Sequence, residues 1–361
     1  MSLGINLAEA GRIPDWLLRL AIKARHREVL HQEDPVQVEP SQEAIRLFLK
    51  QMAKAPIAPA PLDSNRQHYE VPAGLFQKML GPRLKYSCCI WPADELGNKP
   101  GASEAELEFR LLDLAEEEML KLYAKRADMK DGMNILELGC GWGSFCLWAA
   151  ENYPESRIWA VSNSTGQGEF IRQKAKEKDL LNLTVLTEDM NEFSPPKEAG
   201  AFDRIVSIEM FEHMRNWQAL LKRISNWLAP EGLFFLHIFV HRDLAYLFQE
   251  GPDQWMARHF FTGGMMPSAN LLLYLQKDLE ILDHWLVSGL HYARTLESWL
   301  ALLDANQKAC REVLRNDPNP ESAKTLFNRW RIFLIACSEL FGFDSGNQWL
   351  VAHYLMKNRR P

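Results

Sequence analysis

Residues 134–145 read Asn-Ile-Leu-Glu-Leu-Gly-Cys-Gly-Trp-Gly-Ser-Phe. The apolar run predicts a short strand, and the residues from Trp142 to Tyr153 predict a helix. Between them lie Gly139, Gly141 and Gly143. Glycine lets a main chain approach a ligand where a Cβ would clash. A helix start offers unpaired N–H groups and positive dipole to a carboxylate or phosphate. The spacing differs from the G-x-G-x-x-G of dinucleotide sites and lacks the Gly-Lys-Ser/Thr of a P-loop. A small-molecule site at a strand end is therefore expected.

Outward from this string the texture repeats. RIWAVS (157–162), LTVLTED (183–189), FDRIVSIEM (202–210) and GLFFLHIFV (232–240) are further strand candidates, with helical patterns between them. Strands alternating with helices predict a mostly parallel α/β sheet covered on both faces. Beyond Val240 the chain becomes rich in aromatics, with helices expected near 270–280, 295–314 and 321–340. WLVAHYLM (349–356) then reads as a final strand.

Upstream, Ile13–Leu30 reads as a basic amphipathic helix, 41–54 as a second and Glu104–Ala124 as a long acidic one. The first two are expected to form a helical appendage with a solvated charged side. Ala53–Asn65, broken by Pro56, Pro59 and Pro61, predicts an extended connector. The expected division is residues 1–65 as appendage and connector, and 66–361 as the main domain. A helical lid is expected at about 240–345.

The 361 residues carry 41 basic and 47 acidic side chains, a net charge of −6. Neither basic excess nor basic stripe is present, which argues against nucleic acid as partner. No run reaches the ~20 apolar residues needed to cross a bilayer. The opening MSLGINLAEAGR shows no secretion signal. Six cysteines, at 88, 89, 140, 146, 310 and 337, form no CxxC pair. Reduced thiols and a cytoplasmic location are expected. No His/Cys/Asp cluster has metal-ligand spacing.

The glycine string resembles the S-adenosylmethionine site of class I methyltransferases. HYEVP, KYSCC, LELGCGWG, FEHM, HYART and ELFGF, in that order, resemble the cyclopropane fatty-acid synthase superfamily from about Ile45 onward. Within it the chain is most similar to the coclaurine N-methyltransferase branch. The resemblance implies a Rossmann-like seven-stranded sheet with S-adenosyl-L-methionine as methyl donor. It implies that Tyr86 and Ser87 close over the methionine portion, with Gly139, Gly141, Gly143 and Ile208 lining the cofactor. Asn163 and Gln167 would take the ribose, where many class I enzymes use an acid; an amide can both donate and accept there. Asp189 and Met190 would hold the adenine.

At the fourth strand end, Glu209, Glu212 and His213 place three ionisable groups within five positions. An amine attacking a methyl sulfonium must be neutral, so a base is required, and a carboxylate beside an imidazole serves. Glu209 and His213 would share a face if the chain turned helical after the strand. The lipid-cyclopropanating relatives resemble this chain in holding a bicarbonate ion, here through Cys88, Glu212, His237 and Tyr292 by match. The implied exchange is that Glu209 replaces the ion as base or amine anchor. The tyrosine hydroxyl of Tyr292, where the N-methylating branch is expected to have Phe, keeps bicarbonate and a lipid activity open.

Tyr69, Trp330 and Phe333 match substrate-contacting aromatics of that branch, and His237 and Tyr292 are added on the substrate side. Aromatic walls suit a flat amine and the cation that methylation creates. Cys337 is expected to be a buried core thiol. The expected activity is N-methylation of a small aromatic or heterocyclic amine. The alternative is methylene or methyl transfer to unsaturated acyl chains, which alone would require membrane contact. The intact cofactor loop weighs against a non-catalytic binding module. A homodimer is compatible with either activity.

Overall fold

The computed structural model describes residues 3–33, 38–59, 72–248, 254–316, 319 and 321–359. Tyr69 and the latter part of the proline-rich connector lie outside the described residues. Helices α1 (Leu3–Glu9), α2 (Asp15–Glu33), α3 (Val38–Met52), α4 (Ala73–Met79) and α5 (Ala105–Arg126) come first. An alternating stretch follows: β1 (Asn134–Leu138), α6 (Ser144–Asn152), β2 (Arg157–Ser162), α7 (Thr165–Glu177) and β3 (Leu183–Thr187). It continues through β4 (Phe202–Ile208), α8 (Trp217–Trp227) and β5 (Leu228–His241). A small ribbon of β6 (Tyr246–Leu247) and β7 (Met265–Met266) flanks α9 (Trp255–His259). The chain ends with β8 (Leu279–Val287), α10 (Gly289–Ala305), α11 (Gln307–Leu314), α12 (Ala323–Phe341) and β9 (Trp349–Asn358).

The main sheet has seven strands in the order β3-β2-β1-β4-β5-β9-β8. β3 to β5 run parallel, while β9 pairs antiparallel with both β5 and β8. This is the seven-stranded, mostly parallel α/β sheet that the sequence predicts. Alternation along the strands supplies two cores. Ile135, Val206, Phe235 and Val351 face the layer of α4–α6, α10 and α12. Leu136, Ile205, Leu236 and Ala352 face α3 and α8. Fully burying such side chains contributes roughly 1.5–3 kcal/mol each.

Two expectations are corrected. Residues 270–280 do not form a helix: a 3-10 turn at Leu271–Tyr274 gives way to β8. The run LLLY resembles a helix locally, but the chain then becomes an edge strand with Leu282 and Leu286 exposed. The segment 240–345 is therefore not purely helical. Nor is α2 simply a solvated cap. Arg19 donates to Glu297 on α10 at 2.6 Å and to Glu339 on α12 at 2.7 Å, and Arg331 pairs with Asp15. Glu9 at the end of α1 pairs with Arg329 on α12 at 2.8 Å. These pairs tie the first helices onto the domain. Among the described residues, no helix is long and apolar enough to cross a membrane and no acid, His or Cys group could hold a metal ion.

Candidate active site

A cavity of about 580 Å³ opens above the carboxyl ends of β1, β2 and β4, where ligands bind in open α/β sheets. One lobe rests on the loop between β1 and α6. Gly141 has φ +51°, and a Cβ there would meet nothing within 4 Å, so its main chain borders open space. Gly139, Asn163, Gln167, Asp189, Met190 and Ile208 also line the cavity. Gln167 accepts a hydrogen bond from Ser162 at 2.9 Å, which fixes its amide. Asp189 accepts from the backbone N–H of Asn191 at 2.8 Å, and Asn191 in turn exchanges two 2.9 Å bonds with Ala58 of the connector.

Gly143 is not a lining residue. Its φ is +85°, and a Cβ would come within 2.7 Å of Ile171, so it serves the packing of α6 on α7. Glu137, which the sequence reading passes over, does reach the cavity. Burial pushes its carboxyl up to about 8, and its Oε2 has no hydrogen-bond partner. The signal was a carboxylate inside an otherwise apolar strand. An open main-chain cradle with an orphaned acceptor fits a ligand carrying an amino-acid end.

The other lobe is convergent. Glu209 follows β4 with φ +47°, a conformation costing an L-residue of order 1–3 kcal/mol that persists only where its surroundings enforce it. Those surroundings are donors. Its Oε1 accepts from the Cys88 N–H at 2.9 Å and lies 2.9 Å from His237 Nε2, and its Oε2 accepts from the Tyr292 hydroxyl at 2.5 Å. Burial raises the pKa of Glu209, while the Lys85 charge, Tyr292 and the Cys88 N–H pull the other way. Lys85 is itself buried, donating to Ser87 Oγ and Cys88 O at 2.6 Å each. The sequence reading missed it, although KYSCC carries a cation amid side chains that turn inward.

Tyr86, Ser87, Glu209, His213, Tyr292 and Phe333 all line the cavity. The helical-face geometry expected for Glu209 and His213 does not form. Glu209 is left-handed and the turn beginning at Phe211 is a single 3-10 turn. His213 instead stacks on Phe261 at 5.8 Å, and burial depresses it to about 4, so its ring is neutral. Three other expected lining residues stand behind the wall. Glu212 accepts the Phe239 N–H at 2.7 Å, and burial with the nearby Glu209 charge raises it well above the carboxylate range. His237 is fully buried behind Glu209. Trp330 lies edge-on to Phe76 and Phe260 and so backs the wall. Cys88 contributes its main-chain N–H; its thiol points to Cys89 O.

Helix α2 supplies Leu18, Ile22, Arg25 and His26 to the same cavity. Phe248, Trp255, Phe261 and Phe341 join Phe333 in an aromatic enclosure. The volume falls in the range of small-molecule sites.

Residues 60–349 match the family described as mycolic acid cyclopropane synthetase. The chain is 37% identical over 298 residues to (S)-coclaurine N-methyltransferase of Thalictrum flavum subsp. glaucum, covering 81% of this chain and 78% of that one. It superposes with a TM-score of 0.89 on a crystal structure of coclaurine N-methyltransferase bound to N-methylheliamine and SAH, at 33% identity and 98% coverage of both chains. Cyclopropane-fatty-acyl-phospholipid synthase of Escherichia coli (strain K12) is 29% identical over 239 residues, covering 65% of this chain and 54% of that one.

Proposed function

Because the chain belongs to the mycolic acid cyclopropane synthetase family and is an S-adenosylmethionine-dependent methyltransferase, we propose that it N-methylates a small, flat, alkaloid-type amine with Glu209 as base. One observation carries the reading: the Glu209 carboxylate lines the same cavity as the glycine loop and the aromatic enclosure, held by Cys88, His237 and Tyr292. S-adenosylmethionine supplies an electrophilic methyl group on sulfur. The Gly141 cradle and the free Glu137 Oε2 suit its amino-acid end, with Asn163, Gln167, Asp189 and Met190 toward its nucleoside.

The amine enters among Phe261, Phe333 and Phe341. Glu209 accepts a proton from the amine nitrogen and so frees the lone pair that bonds the methyl carbon. The electrons of the breaking carbon–sulfur bond stay on sulfur. Ring faces favour the methylated cation, and His213, neutral and stacked, shapes the wall without adding like charge. Residues 240–345, with α2, serve as the substrate cover.

The Tyr292 hydroxyl, which the sequence leaves open to a lipid-type ion site, is spent on Glu209 Oε2. The carboxylate therefore stands where an external bicarbonate would need the same donors. The amine reading is favoured on that ground. Six buried, unpaired cysteines support a cytoplasmic setting.

The test incubates the protein with S-adenosylmethionine and either a panel of cyclic amines or vesicles of unsaturated phospholipid, read by mass spectrometry. Addition of one methyl to an amine is expected, and Glu209→Gln should lower kcat/KM by about 10²–10⁴-fold. Modification confined to acyl chains, or full turnover in Glu209→Gln, overturns the assignment.

A further inference from the structure

Behind Glu209 a line of hydrogen bonds crosses the sheet. His237 on β5 faces Glu209 through Nε2 at 2.9 Å and His353 through Nδ1 at 2.8 Å. The two histidines are register partners on β5 and β9. His353 Nδ1 lies 2.5 Å from Nη1 of Arg126, the last residue of α5. Arg126 stacks over Trp285 of β8 with its guanidinium carbon 4.8 Å from the ring centre, and Trp285 is the register partner of His353 on the other side. Both histidines are fully buried.

The direction of this chain follows from inventory. A guanidinium has five N–H donors and no acceptor. His353 Nδ1 must therefore present its lone pair to Arg126, which puts the His353 proton on Nε2. His237 Nδ1 must accept that proton's hydrogen bond, which puts the His237 proton on Nε2, aimed at Glu209 Oε1. Burial keeps both rings well below the usual imidazole range, with the charges of Lys85 and Arg126 adding to it, so each carries one proton only.

We propose that Arg126 is a positioning residue that fixes the tautomers of His353 and His237, so that a one-way series of donors ends on the Glu209 carboxylate. Each donor polarises the next, and a charge-assisted bond on the anion is the strongest kind. The chain cannot carry the reaction's proton away, because its outer end accepts none. The proton taken by Glu209 therefore leaves by the cavity side. The tautomer assignment stands on its own; its effect on the rate rests on Glu209 being the base.

Other groups also face Glu209: Lys85 and Cys88 from the segment before α5, Tyr123 from α5, Glu212 and His213 after β4, Tyr292 from α10 and Cys337 from α12. They are common to the parent and to variants at Arg126 or His353. The unvaried protein is examined first, by histidine-selective ¹⁵N labelling. Both buried rings are expected as Nε2–H tautomers, with Nδ1 unprotonated. A proton on Nδ1 of either ring overturns the proposal even if no variant folds.

The variants then test the effect. Without Arg126, His353 is free to turn over its tautomer and leave a lone pair facing the carboxylate, which then holds its own proton more tightly. Arg126→Leu should move the acid limb of the kcat/KM–pH profile up by about one unit, roughly tenfold less activity below it. Arg126→Lys restores a cationic donor, and His353→Gln can accept from Arg126 while donating to His237; both should keep the parent limb. The amine's own titration is the same in every case. A uniform loss at all pH values in Arg126→Leu, or a limb that stays in place, overturns the proposal. If Glu209→Gln retains turnover, the base assignment fails while the tautomer measurement still decides the chain.

Discussion

The two lobes of the cavity are built in different ways. The cofactor lobe is local in sequence: the glycine loop at the end of β1, with Asn163 and Gln167 after β2 and Asp189 and Met190 after β3. The substrate lobe draws on distant segments, with the Cys88 N–H and the side chains of Glu209, His237 and Tyr292 meeting across more than two hundred positions of sequence. The first is defined by where a Cβ is missing. The second exists only when the helical layer, α2, α10 and α12, is packed on the sheet.

This difference predicts separable damage. The largest effect should come from Arg294, buried on α10, which donates to both oxygens of buried Glu108 and to Glu95. Arg294→Met leaves Glu108 desolvated, and breaking such a pair costs about 3–5 kcal/mol. Chemical denaturation should show it, with the amine lobe lost before the glycine loop. Equal loss of cofactor and amine binding at the lowest denaturant would break the contrast.

Next comes the cofactor side. Gly141→Val combines a strained positive φ of about 1–2 kcal/mol with a side chain in the cradle. Calorimetry should find S-adenosylmethionine binding weakened at least tenfold, while thermal stability falls little. Phe333→Leu is the mirror case. Phe333 stacks on Phe260 at 4.2 Å and lines the amine lobe, and loss of a ring contact is worth about 0.5–1.5 kcal/mol. KM for the amine should rise several-fold and KM for the methyl donor should stay fixed.

The smallest effect sharpens the view of the helical layer alone. Glu116 on α5 is fully buried, and burial pushes it up to about 8, partly offset by its bond from the Arg83 N–H and by Lys85. A folded pKa above the unfolded 4.5 means stability that is full below about 4.5 and lost as pH rises through 8. Glu116→Gln should flatten the decline in Tm across that window without moving the activity profile.

The same contrast explains what the sequence disclosed. The β1–α6 turn, the five parallel strands and their helices are local patterns, and a reader of residues 134–240 recovers them. Glu209 was legible as a carboxylate at a strand end. Its partners Cys88, His237 and Tyr292 were legible only through the family resemblance, as holders of an ion that Glu209 replaces; no local spacing shows them, because they reach it through tertiary packing. The placement of Glu212 and Trp330 behind the wall follows from partners distant in sequence, the Phe239 N–H for one and the rings of Phe76 and Phe260 for the other, which no spacing records. Strand β8 was hidden because its exposed edge residues are as apolar as those of a helix.

The positive φ of Glu209 has an evolutionary consequence. Glycine is the residue that occupies this backbone region without penalty, and glutamate and glycine codons differ at one nucleotide. Loss of the side chain by that route would relax the backbone at the same time as it emptied the position. Three inward donors would then surround a space the size of a small carboxylate, suited to a diffusible anion. A built-in base and a borrowed one are, in this fold, neighbouring solutions separated by a step that the backbone does not oppose.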